Sequence, residues 1–180
     1  MERPRTERTL TIDEVMHFAG PWILAMAVAT FGPYFVIHGF AWPSSAGLFF
    51  ARLFVFIVVY LLSVVVHELL HVVGMLMFGR VPLSSISFGH RLSEGVVYVH
   101  SNEAMTARAY RGVLLLPGVI TGVLPAVWGI AVGSGWITFY GWVMMASAVG
   151  DLAVYRLMSD LPSSTRVQDH PKEVGLLIEK

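Results

Sequence analysis

The sequence predicts an all-α polytopic membrane protein of about four transmembrane helices, with a short β-hairpin between helices two and three that is cytoplasmic or dips into the membrane. Three observations carry this. Apolar residues make up 56% and charged residues only 13% of 180 residues, against roughly 25% charged in ordinary soluble domains. Four apolar stretches are long enough to cross a bilayer, at about 20 residues each. Between the second and third lies a polar block whose short alternating runs have strand rather than helix periodicity.

The first 20 residues, MERPRTERTLTIDEVMHFAG, are polar. Thr11 and Glu14 have capping-box spacing, so a short helix is expected to begin near Thr11 and to be interrupted or redirected by Pro21. A first span follows over 22–40. Its basic start and Ala27-Val28-Ala29 have the outline of a signal peptide, but the apolar run continues and the leader carries four acids, which favours a retained span.

A second span occupies 48–79. Arg52 and Arg80 bracket about 42 Å of helix, close to a full bilayer with headgroups, so both side chains can reach opposite surfaces. The block 80–111 contains SSISFGH and GVVYVHS around RLSE, the expected hairpin. The third span runs over 112–132 with kinks expected at Pro117 and Pro125. Gly133-Ser134-Gly135 is short enough to force the fourth span, 136–158, antiparallel beside it. The tail, 159–180, reads as polar and only partly ordered. The whole is one membrane-embedded unit.

Lys and Arg concentrate in the leader, the hairpin block and the tail, with Arg52 as the exception. The positive-inside rule therefore predicts a multi-pass protein of the cell membrane with both termini cytoplasmic. Zero formal net charge gives no reason to expect a nucleic-acid partner. The expected partners are the lipid bilayer and a membrane protein or peptide substrate; composition leaves the oligomeric state open.

Inside the second span stands VVVHELLHVVGM, 64–75. Three ionisable groups among aliphatic residues are costly unless something compensates them. His67 and His71 fit H-E-x-x-H, which puts both imidazoles on one helical face a turn apart, able to grip one metal ion. Glu68 beside them is suited to deprotonate a metal-activated water. With no cysteine in the chain, His, Asp and Glu are the strong ligands available, and zinc (Zn2+) is the expected cofactor. The competing interpretation is a polar cluster satisfied between helices.

A catalytic zinc takes three protein ligands. Glu68 and Asp151 are the carboxylates inside the apolar spans, and Asp151 lies at a depth comparable with that of His71. It is the expected third ligand, with pairing to Arg156 as its alternative. Ala146 and Gly150 form a small-xxx-small pair expected to let spans two and four approach closely, with Ser147 a turn before Asp151. His38 reads as an interfacial histidine. His90, Glu94, His100 and Glu103 read as solvated, although His100 and Asn102 would reach the site and steady an oxyanion if the hairpin dips. Met75 and Met77 read as packing residues.

HELLH in a span, a hairpin block ending YVHSNEAMTARAYR, then LLPG, Gly150-Asp151 and a DHP tail together resemble the putative zincin peptidases, small prokaryotic membrane proteins similar in plan to site-2 proteases. The resemblance covers about residues 60–175 and is sharpest at His67, Glu68, His71 and Gly150-Asp151. It implies that His67, His71 and Asp151 hold zinc and that Glu68 is the catalytic acid/base of an intramembrane zinc metallopeptidase. Site-2 proteases carry Asp-Gly within a longer motif containing Asn and Pro; here the order is Gly-Asp and that Asn is absent.

Two readings follow. In one, the chain hydrolyses peptide bonds of membrane-associated proteins, with an unwound substrate strand held by an exposed edge in Ile86–Phe88 or Val96–His100. In the other it is a non-catalytic metal-binding membrane scaffold or regulator. A ferrous oxygenase ranks third, because Glu68 has no obvious duty there.

Overall fold

The computed structural model describes residues 5–40, 45–91, 96–171 and 173–179. The chain is mostly helical. Strand β1 (Arg5–Leu10) leads into α1 (Ile12–His38), then α2 (Ala46–Gly74), which continues through a π-helical turn at Met75–Gly79. Strands β2 (Ile86–Arg91), β3 (Val96–Ser101) and β4 (Met105–Thr106) follow. The chain then runs through α3 (Ala107–Pro117), a π segment at Gly118–Val123, α4 (Leu124–Ala131), α5 (Gly135–Ser147) and α6 (Val149–Leu157). It ends with β5 (Arg166–Asp169) and β6 (Val174–Glu179).

Four helical stretches are long and apolar enough to cross a membrane: Ile12–His38, Ala46–Gly79, Ala107–Ala131 and Gly135–Leu157. Each begins before the apolar run that marks it in the sequence, because capped, partly polar first turns belong to the helix. Thr11 and Glu14 close a reciprocal capping box, with Glu14 N–H donating to Thr11 Oγ1 at 3.2 Å and Thr11 N–H to Glu14 Oε2 at 2.8 Å. The helix it starts does not stop at Pro21. It continues through Pro21 and Pro33 to His38, since a proline removes one N–H without preventing neighbouring turns from closing. Along the spans, large apolar side chains are turned outward, Val36, Phe54 and Leu24 among them. Such surface suits hydrocarbon and not water.

The all-α description with a single hairpin needs correcting, because a second, four-stranded sheet is present, and so does the partly ordered tail. Leader and tail join in one antiparallel sheet of order β1-β6-β5-β4. Arg5 is paired with Glu179 at one end and Leu10 with Val174 at the other. Gly-Leu-Leu-Ile of β6 is buried between its neighbours and the helix ends, which orders a segment that is unremarkable by hydropathy. Met75, Met105, Tyr110, Val113, Met158, Val167 and Leu176 form the packed core at this end. The guanidinium of Arg8 reaches Leu157 O at 2.6 Å and both Asp160 oxygens at 2.6 and 2.8 Å, and Arg111 donates to Met158 O and Leu161 O. Leader, hairpin block and tail therefore gather at one end of the four helices.

β2 and β3 form the expected hairpin, with Ile86 opposite Ser101 and Arg91 opposite Val96. The rest of its RLSE connection, including Glu94, lies outside the described residues. Close helix approach does not occur at the Ala146/Gly150 pair. A methyl group at Gly150 would meet nothing within 4 Å, and the fourth span breaks at Ala148 between them. The tight contacts are elsewhere: a Cβ at Gly141 would stand 2.7 Å from Ala126 Cα, and one at Gly74 would stand 3.1 Å from Val113 Cα.

Candidate metal centre

One face of α2 is buried at Ser63, His67, His71 and Gly74, the i, i+4, i+8, i+11 positions of a single stripe. Ser63 accepts from Tyr140 O–H at 2.7 Å, fixing α5 against that stripe. A turn further on, the imidazoles of His67 and His71 sit with ring centroids 5.1 Å apart and planes at 77°. Asp151, in the first turn of α6, faces both. Its Oδ2 lies 3.0 Å from His67 Nε2, and its Oδ1 lies 3.3 Å from His71 Nε2. Arg156, the alternative partner for Asp151, instead stands over the Phe18 ring at 5.4 Å.

His71 is oriented from behind. Its Nδ1 lies 3.2 Å from Val113 O, and a carbonyl only accepts, so Nδ1 carries the proton. Val113 O is available because the residue four positions on is Pro117, which has no N–H to close the helical bond. With Nδ1 committed, neutral His71 turns the lone pair of Nε2 toward Asp151 Oδ1. Two acceptors at 3.3 Å repel unless a proton or a cation stands between them. His67 Nδ1 is buried with no hydrogen-bond partner among the described residues. This donor set fits a divalent metal ion, with imidazole nitrogen and carboxylate oxygen as zinc prefers.

Glu68 is the competing carboxylate. One ligand atom each from His67, Glu68 and His71 falls within a 4.8 Å span. The Glu68 side chain also lies beside the Val99 amide of β3. A single side chain thus adjoins the His67/His71 pair on one side and the hairpin on the other.

Glu68, His71 and Asp151 open on a cavity of about 450 Å³ walled by Met75, Val113, Leu114 and Val154, with Ile12 and Met16 of α1 also lining it. His100 lines it, whereas Asn102 is exposed and engaged with Ser87 Oγ at 3.1 Å. Glu103 is exposed, and His38 contacts Ile130 O at 2.7 Å at the far end of α1. Met75 is a core residue and Met77 is exposed. Nothing is described of the His90 side chain.

Sequence reasoning missed Tyr110 and Asp169. Both line the cavity, and Tyr110 O–H donates to Asp169 Oδ1. Burial pushes the Asp169 carboxyl above the usual range, against the pull of the Tyr110 hydroxyl and the Ser101 amide. The one available signal was the Asp-His-Pro of the tail; no periodicity or spacing linked it to His67.

Four helices are long and apolar enough to cross a membrane, and one of them carries a His-Glu-x-x-His cluster that could hold a metal ion, an arrangement that suggests a metallopeptidase. The chain belongs to the putative zincin peptidase family, whose description matches residues 60–166, more than half its length and inclusive of His67, Glu68, His71 and Asp151. That description implies zinc. No curated protein matches the chain, and no solved structure does.

Proposed function

We propose that this protein is an intramembrane zinc metallopeptidase, site-2-protease-like in plan, that hydrolyses peptide bonds of membrane-associated proteins. The observation that carries the reading is the convergence of both Nε2 atoms on the Asp151 carboxylate within a buried stripe of a membrane-length helix. His67, His71 and Asp151 are the ligands. When bound, zinc polarises the scissile carbonyl and lowers the pKa of its water toward ~7.

Glu68 is the general base that takes the water's proton and returns it to the leaving amine. Both carboxylates line the cavity, and Glu68 is preferred for this role because Asp151 already bridges both imidazoles. His100 is the candidate oxyanion donor, since it lines that cavity. Val113, Leu114 and Val154 keep the reaction volume apolar and strengthen its electrostatics.

A transmembrane substrate must unwind before attack, because its amides are bonded internally. On β3 the outward Ser101 amide is held by Asp169, and the Val99 amide lies beside Glu68. The outer edge of β2, in a two-stranded sheet, is the better place for the unwound strand to pair. The distribution of Lys and Arg supports a cytoplasmic location for the sheet end and both termini.

Glu68→Gln tests the proposal. Purified protein in lipid vesicles, incubated with a fluorogenic transmembrane peptide, should keep its zinc and lose cleavage by about 10²- to 10⁴-fold. Retention of full cleavage by the variant rules out the mechanism. A non-catalytic metal-binding scaffold instead predicts no Glu68-dependent cleavage of any membrane peptide.

A further inference from the structure

Strand β3 commits one edge to β2. Its other edge carries the amides of Val99 and Ser101, two residues apart and therefore on the same side. Both face acidic side chains. The Val99 amide lies beside Glu68 on the wall of one cavity, and Asp169 Oδ2 accepts from the Ser101 amide at 3.1 Å. The second oxygen of Asp169 accepts from Tyr110 O–H, so this one carboxylate ties β5 to α3 and to β3. Its neighbour Gln168 reinforces the grip, with Nε2 donating to Asn102 O at 3.0 Å. Ser101 is fully buried at the junction.

The hairpin is a two-stranded sheet separate from the four-stranded one, with Ile86 and Val99 packed against the core. A lone two-stranded ribbon is marginal without such tethers. Glu68 meanwhile projects from a helix with freedom about its side-chain torsions, and the Val99 amide is a fixed donor that limits where its carboxylate rests.

We propose that Asp169 is a positioning residue for the reaction assigned to Glu68: by holding Ser101 to Tyr110 it fixes β3 at the height where the Val99 amide orients the Glu68 carboxylate. The inference rests on the peptidase reading of the site. Asp169 touches neither substrate nor metal in it and acts through two amides of one strand.

The test combines cleavage, metal content and amide exchange on the full chain in lipid vesicles, with a fluorogenic transmembrane peptide as probe. Asp169→Ala should lower kcat about 10- to 100-fold, the range for residues that orient a catalytic shell, with KM within about 3-fold and zinc content unchanged. Val99→Pro removes the amide directly, at a strand edge facing away from β2 where proline is tolerated. It should give a similar loss, and the double variant should be no worse than the poorer single one. Hydrogen exchange at the Val99 amide should accelerate at least about 10-fold in Asp169→Ala, with or without zinc.

Losses that multiply in the double variant, unchanged Val99 exchange, or zinc lost in proportion to activity each overturn the proposal. Should Asp169→Ala fail to fold, the near-isosteric Asp169→Asn, which keeps one acceptor for two donors, replaces it in the same double-variant cycle, and the same results support or overturn the proposal. Wild-type cleavage that depends on Glu68 but not on Asp169 sinks this inference alone. Absence of Glu68-dependent cleavage in wild type sinks the peptidase reading and this inference with it.

Discussion

His71 Nδ1 lies 3.2 Å from the carbonyl oxygen of Val113, a carbonyl left without its helical partner by Pro117. A proline in the third span thereby determines which nitrogen of a histidine in the second span faces Asp151. The pair fixes both the tautomer and the ring plane, the two properties an outer partner sets for a metal-binding imidazole.

Pro117→Ala returns an N–H to the reach of Val113 O and makes it compete with His71. Zinc affinity, read by competition with a chromogenic chelator, should fall about 10- to 100-fold. Thermal stability should not fall in parallel, since alanine is the better helix former by about 3 kcal/mol in a helix interior.

Asp151 and Glu68 should separate by metal content. Elemental analysis should find Asp151→Ala, His67→Ala and His71→Ala depleted of zinc beside wild type, and Glu68→Gln loaded. A loaded Asp151→Ala with a depleted Glu68→Gln would reverse the two roles, which the shared 4.8 Å span of His67, Glu68 and His71 makes a real alternative.

Gly141→Ala should weaken the contact between α4 and α5. Its Cβ would lie 2.7 Å from both Cα and Cβ of Ala126, where backbone has to move. Overpacking of this kind costs about 1–3 kcal/mol. Thermal unfolding in detergent should register it as a lower Tm, and Gly150→Ala, with open space around it, should not.

The Arg8–Asp160 contact should make the leader strand sensitive to acid. The Arg8 guanidinium holds the Asp160 carboxyl down to about 2, from an ordinary 3.8. A depressed carboxyl contributes stability that is fully present above its unfolded value and is lost as pH falls through the folded one. Protection of the β1 amides relative to Asp160→Asn should therefore hold above about pH 4 and vanish toward pH 2. The difference should be small and should shrink with added salt, because the pair is solvent-exposed.

Much of this protein was legible in its residues. Apolar length marked four helices, and the Thr11/Glu14 spacing marked the first helix start. The i, i+4 placement of His67 and His71 put two imidazoles on one face without any tertiary contact being known. Asp151 stood out as a carboxylate in an apolar run, and the tertiary structure sets it against both rings. The tail was misread because β6 depends on β1, some 170 residues away, for its pairing, and hydropathy records no partner. The Ala146/Gly150 pair misled for the same reason: small residues permit close approach without saying whether a helix is there to make it.

Local periodicity and composition thus determined the helices, their apolar faces and the histidine stripe on α2, because each depends on neighbours within a turn or two. Only the folded chain decided that Pro117 lends a carbonyl to His71, that Asp169 reaches Ser101 and Tyr110, and that leader and tail share a sheet. Those contacts join residues separated by 42 to 174 positions. Their existence follows from how the helices pack and break, at Ala148 and across the π turns, and no short window of sequence contains that information.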